Sequence, residues 1–157
     1  MKINIIAVGK IKESFFREAI EEYKKRISKF ATINIIELED IPLKQENEAN
    51  IKKAIEKESL EILSKIKNEY LICMDIKGKQ MSTLEFSDFI IDKKVSGISE
   101  ISFIIGGSYG LSDTIKNKCN YLLSFSKMTF PHQLFRIILL EQIYRICKIE
   151  NNEPYHK

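Results

Sequence analysis

The sequence predicts a single α/β domain, residues 1–157, built on a mainly parallel sheet flanked by helices. Three observations predict it. Short apolar runs alternate with longer stretches in which apolar residues recur at three- and four-residue steps. Most of the short runs carry apolar residues on both faces, as strands covered on both sides require. The 157 residues, 44% hydrophobic and 30% charged, suit one sizeable core, whereas two domains would each be small.

Taken in order, residues 3–8 (INIIAV) read as a buried strand ending at Gly9. From Glu13 the period changes: Phe16, Ala19, Ile20, Tyr23, Ile27 and Phe30 mark an amphipathic helix with a charged outer face. Residues 33–38 (INIIEL) form a second strand, closed by Pro42, and Ile51, Ala54, Ile55, Ile62, Leu63 and Ile66 a second helix. Residues 70–74 (YLICM) are a third strand, expected to end at Asp75 and a turn at Gly78. Leu84, Phe86, Phe89 and Ile90 suggest a shorter helix that Gly97 breaks. Residues 101–105 (ISFII) and 121–124 (YLLS) complete the strands, with Ser112 able to cap a brief helix between them. The last helix is expected from Pro131, a residue favoured at the first helical position, to about Lys148.

Composition narrows the function classes. No apolar run approaches the roughly 20 residues that span a bilayer, and the first residues pass directly from a short apolar run into charge, so a cytoplasmic protein is expected. Cys73, Cys119 and Cys147 are odd in number and far apart, which suits reduced thiols. The net charge is only +3, but residues 103–157 hold 7 Lys/Arg against 4 Asp/Glu, while residues 1–102 hold 18 of each. A basic last third is compatible with phosphate or nucleic-acid contact. No GxGxxG follows the first strand and no P-loop occurs, which argues against NAD enzymes and P-loop NTPases. Nor is there an HExxH or EF-hand pattern, so no metal is implied.

The chemistry concentrates in the last third. Gly106, Gly107 and Gly110 directly follow the fourth strand, where a ligand could approach the backbone at the carboxyl edge of a parallel sheet; a bare tight turn would look the same. The loop Phe125-Ser126-Lys127-Met128-Thr129-Phe130 mixes aromatics, hydroxyls, a thioether and a cation, which suits a flat ligand held between apolar walls, or a loop whose aromatics plug the core. Arg136 lies about 140° from Glu141 on the helical wheel, among apolar neighbours. There it needs an anion, either an internal partner such as Asp75 or Glu141 or a substrate phosphate or base. The rest of that helix is apolar on most sides, more than one sheet face covers, which points to a homodimer. Tyr155 and His156 stand in a segment that is normally frayed; a lone terminal His is more often inert, whereas a docked tail would be able to stack on a base or handle a proton. His132, at a helix start, reads as structural.

These residues carry a resemblance that covers essentially the whole chain: INIIAVGKIKE at the start, LICMDIKGK in the middle, then FIIGGSYGL, LSFSKMTFPHQLFRIILLEQIYR and PYHK. Together they resemble the RlmH family of SPOUT-class methyltransferases, which methylate N3 of a pseudouridine in large-subunit ribosomal RNA. The resemblance implies an α/β fold whose C-terminal part, about residues 101–157, is threaded into a trefoil knot that forms an S-adenosyl-L-methionine pocket. It also implies a homodimer that brings the substrate side of one subunit toward the cofactor of the other. Carried onto this sequence, the cofactor positions are Met74, Gly106, Phe125, Ser126, Lys127, Met128, Thr129 and Phe130, and the substrate-side residues are Arg136, Tyr155 and His156. Met74 stands where relatives often have Leu, and Lys157 where some have Arg, which would weaken bidentate phosphate contact. The expected substrate is ribosomal RNA on the assembled ribosome; a ribosome- or RNA-binding protein of the same fold without transferase activity is the alternative.

Overall fold

The computed structural model describes residues 1–155. Among them five strands and five helices alternate: β1 (Lys2–Val8), α1 (Ser14–Ile27), β2 (Thr32–Leu38), α2 (Glu48–Lys65), β3 (Tyr70–Gln80), α3 (Thr83–Val95), β4 (Glu100–Ile105), α4 (Asp113–Lys118), β5 (Tyr121–Ser124) and α5 (His132–Glu150). The strands form one sheet in the order β2-β1-β4-β3-β5, and every neighbouring pair is parallel. Parallel strands need crossover connections, and the helices supply them on both faces.

The alternation of side chains along each strand divides the core in two. Ile3, Ile5 and Ala7 of β1 join Ile20 and Ile27 of α1, Phe86 and Ile90 of α3, and Leu139, Leu140 and Ile143 of α5. Ile6 and Val8 point the other way, into a smaller cluster with Ile62 of α2 and Ile115 of α4. This is why the sequence runs are apolar at consecutive positions: both faces of β1 and β4 are covered. Local signals fix the helix starts. Asn47 caps α2 through Asn50 N, Ser82 and Glu85 form a reciprocal capping box on α3, and Ser112 accepts from Ile115 N at the start of α4.

Two elements depart from expectation. β3 does not stop at Asp75; it loses β4 after Met74, passes an irregularity, and pairs with β5 again at Lys79 and Gln80. Gly78 is therefore no simple turn residue. A Cβ there would sit 2.6 Å from the backbone carbon of Leu123, so only glycine lets β3 pack directly on β5. The last helix begins at His132, and Pro131 occupies the cap position with an extended ψ of 136° in place of the first helical turn.

Candidate functional site

The carboxyl ends of β3, β4 and β5 open into a cleft of about 500 Å³, a size that suits a nucleotide-like cofactor. Seven of the eight expected cofactor residues line it: Met74, Gly106, Phe125, Ser126, Met128, Thr129 and Phe130. Lys127 is exposed and does not line the cleft.

The backbone makes this opening. After β4 the chain turns back on itself, with Gly110 N donating to Gly107 O at 3.0 Å and Gly110 at a φ of +82°. The turn folds so tightly under Gly106 that a Cβ there would lie 2.8 Å from the carbonyl carbon and oxygen of Gly110 and from Leu111 Cγ. Glycine is thus required for the turn to pack under the strand end. On the opposite wall, two serines shape the loop after β5: Ser124 Oγ donates to Ser126 O at 2.9 Å, and Met128 N donates to Ser126 Oγ at 2.9 Å. Phe125 packs edgewise on Phe86 and tilts against Phe135, while Phe130 stacks on Phe135 at 6.1 Å. The aromatics of this loop pack on the core and also line the cleft.

Two residues join the site without being expected there. Asp75 lines the cleft with one carboxylate oxygen 2.7 Å from Lys116 Nζ and the other accepting from Lys77 N at 2.8 Å. Burial pushes its pKa up, but the hydrogen bonds from Lys116 and the Lys77 backbone outweigh this and hold it below the ordinary carboxylate range, so it stays ionised. His132 also lines the cleft; burial first, and then the nearby Arg136 charge, push its pKa below the ordinary imidazole value. At neutral pH it faces the cleft uncharged. A proline-linked histidine at a helix start carries no local signal for this; only the convergence of the start of α5 with the strand ends reveals it.

Arg136 lies one turn behind His132 and is fully buried. Its partner is neither Asp75 nor Glu141: the first pairs with Lys116 and the second with Arg145. Instead Nη1 donates to Glu37 Oε1 at 2.7 Å, and Nη2 donates to the carbonyls of Val8 and Gly9 at 3.0 and 2.6 Å. Glu37 also accepts from Ile11 N at 3.1 Å. The guanidinium thereby ties the start of α5 to the ends of β1 and β2, and only its Nε lacks a partner. Burial lowers its pKa against the opposing pull of Glu37.

Tyr155 is docked, as a functional tail requires, but not beside the cleft. Its hydroxyl donates toward both oxygens of Glu141 at 3.2 Å, its ring meets Tyr144 edgewise at 4.9 Å, and the Arg145 guanidinium lies 5.0 Å above it. Glu141 is nine residues beyond His132, about 14 Å along the helix. One chain therefore does not bring Tyr155 and the cleft together. His156 lies outside the described residues. The role of Glu141 and Arg145 in seating Tyr155 emerges only once the tail folds back on α5. Beside the cleft an apolar groove of about 290 Å³ runs between α3, β5 and α5, lined by Met81, Phe86, Leu123, Phe125, Phe130 and Ile138 among others, and Leu134 next to it is exposed. Among the described residues no cluster suits a metal ion, and no helix is long and apolar enough to cross a membrane.

Comparisons with known proteins agree with this architecture. A family model described as a predicted SPOUT methyltransferase matches residues 1–156. A protein of Clostridium acetobutylicum, named ribosomal RNA large subunit methyltransferase H, is 53% identical over 159 residues, with both chains covered completely. Proteins of the same name from two Clostridium botulinum strains, 657 and Alaska E43, are 53% and 51% identical, again over the full length of both chains. Among solved structures, a probable methylase family protein from Haemophilus influenzae aligns with a TM-score of 0.53 at 11% identity, covering 99% of this chain and 70% of that one, a likeness of fold alone. With its whole length matched by the family model and by relatives above half identity, this chain belongs to the SPOUT methyltransferase family.

Proposed function

We propose that this chain transfers the methyl group of S-adenosyl-L-methionine to N3 of a pseudouridine in large-subunit ribosomal RNA, acting in the cytoplasm on the assembled ribosome as a homodimer. The observation that carries the proposal is the cleft itself. Seven of the eight residues that the family resemblance assigns to the cofactor line one opening at the strand ends, in a chain 53% identical to a protein named as a large-subunit ribosomal RNA methyltransferase.

The residues present fit that cofactor. Met74, Leu111, Leu123 and Phe125 offer apolar surface to its flat and aliphatic parts, and Gly106 leaves backbone accessible for hydrogen bonds. The ionised Asp75 accepts from a cationic group, while the uncharged His132 avoids repelling one. When bound, S-adenosyl-L-methionine supplies a methyl group already activated by its sulfonium charge. The protein's share is then to exclude water, hold the acceptor nitrogen in line with the methyl group, and remove the N3 proton. Tyr155, seated by Glu141 and Arg145, orients the base, and His156 is assigned as the group that takes the proton. Arg136 serves as a positioning residue: buried and tied to Glu37, it sets the start of α5 and hence the His132 wall.

The separation of Tyr155 and the cleft supports the dimer reading. A second copy seated on the apolar groove would cover Ile138 and Leu134 and could deliver its own tail to the neighbouring cleft. The same reading includes a trefoil knot in the C-terminal part, enclosing the cofactor.

The test is transfer of labelled methyl from S-adenosyl-L-methionine to ribosomes that lack the modification, with free large-subunit RNA alongside. Label in the assembled particle alone is expected. Failure to bind S-adenosyl-L-methionine would favour a ribosome-binding protein of the same fold, and cofactor binding without label in either acceptor would overturn the choice of acceptor.

A further inference from the structure

The part of β3 that outruns the sheet has no role in the cofactor cleft beyond Asp75 and Ile76, yet its shape is tightly held. Asp75 accepts from Lys77 N and pairs with Lys116, and Gly78 lies against the Leu122–Leu123 backbone with no room for a side chain. β5 pairs with it once more at Lys79 and Gln80. This rigid arm carries Lys77 and Lys79, both exposed and neither ion-paired among the described residues. The acidic groups of the neighbourhood are committed elsewhere: Asp75 to Lys116, and Glu85 to the backbone N–H of Ser82. At the mouth of the cleft the arm also presents Ile76, 49% exposed, and Met128 lines the same opening at 74% exposure. Lys127, beside Met128, is exposed too.

Uncovered apolar side chains at the rim of a cleft, with unpaired cations beside them, match one kind of partner. A nucleotide drawn out of its stack presents a flat face to apolar side chains and its flanking phosphates to lysines. Resting on the function proposed above, we propose that the β3 arm is the RNA-facing rim of the site, with Lys77 and Lys79 holding phosphates beside the target nucleotide while Ile76 and Met128 flank its base. The arm's rigidity gives it a purpose, since cations on a preorganised backbone lose little freedom when they bind.

The experiment compares the wild-type protein with K77Q/K79Q and K77R/K79R, measuring affinity for ribosomes lacking the modification over a series of salt concentrations. Counterion release contributes about 0.7 to the slope of log affinity against log salt for each single-strand phosphate that a lysine neutralises, so K77Q/K79Q should show a slope shallower by about 1.4. Its affinity should fall about tenfold or more at low salt, with the arginine pair restoring both. Affinity for S-adenosyl-L-methionine and sedimentation mass should not change. An unaltered affinity and slope would overturn the proposal. So would a fall in sedimentation mass, which would make the arm an interface between copies of the chain. Failure of the wild-type protein to bind or methylate ribosomes would instead strike the proposed function, and this inference with it.

Discussion

Replacing Arg136 by methionine keeps the volume of the side chain and removes its charge and all three of its hydrogen bonds. The side chain is fully buried, and the change leaves Glu37 and the carbonyls of Val8 and Gly9 without their donors. Breaking a buried pair by removing one member costs about 3–5 kcal/mol. Glu37 keeps the N–H of Ile11 and is 32% exposed, so water can rehydrate it; this places the expected loss near the lower end, about 3 kcal/mol. For a chain of this length the melting temperature should then fall by about 6–12 °C. Urea unfolding followed by circular dichroism measures the change, read as a lower midpoint at constant slope. Arg136→Lys should lie between the two, because an ammonium cannot serve the carboxylate and both carbonyls with the same fork. An R136M protein with an unchanged midpoint but abolished methyl transfer would refute the reasoning and show that the guanidinium serves the substrate directly.

Three further outcomes are expected. Gly106→Ala forces a Cβ to within 2.8 Å of Gly110 and Leu111, so titration calorimetry should find S-adenosyl-L-methionine affinity reduced about tenfold or more, about 1.4 kcal/mol, in a folded protein. His132 has a folded pKa below its unfolded value near 6.5, so the unfolded chain binds its proton first; stability should drop as the pH falls from about 6.5 toward the depressed folded value. The difference in urea midpoint between wild type and His132→Gln should accordingly shrink from pH 7.5 to pH 5.5, and a difference independent of pH would contradict the burial of a neutral imidazole. Tyr155→Phe loses only a partly exposed hydrogen bond to Glu141, worth about 1 kcal/mol or less, yet single-turnover methyl transfer should slow about tenfold or more if the hydroxyl orients the base; equal rates would remove Tyr155 from the substrate side.

Much of the fold is legible because a doubly covered parallel sheet writes itself as short runs with apolar residues on both faces, and INIIAV, YLICM and ISFII are such runs. The strand order is not, since it depends on which crossover passes over which strand and leaves no periodic trace. The extension of β3 is hidden for a physical reason: an acid followed by glycine ordinarily marks a turn, and only the 2.6 Å approach to Leu123 shows that Gly78 serves close packing. At the site, the mixed loop 125–130 and Gly106 stand out by composition and by family resemblance. Asp75 and His132 do not, because what makes them part of the cleft is the convergence of three strand ends distant in sequence. Glu37, the true partner of Arg136, sits 99 residues away inside an apolar strand, where one acid looks like a solvent-facing position.

The measurement that bears most directly on the account is identification of the methylated nucleoside. Ribosomes lacking the modification would be incubated with the protein and isotopically labelled S-adenosyl-L-methionine, the RNA digested to nucleosides, and the product resolved by mass spectrometry with nuclease mapping of its position. Label in N3-methylpseudouridine at one site of the large-subunit RNA, strongly reduced with Gly106→Ala, is the predicted result. Label on a ribose, on a different base or at many sites would contradict it.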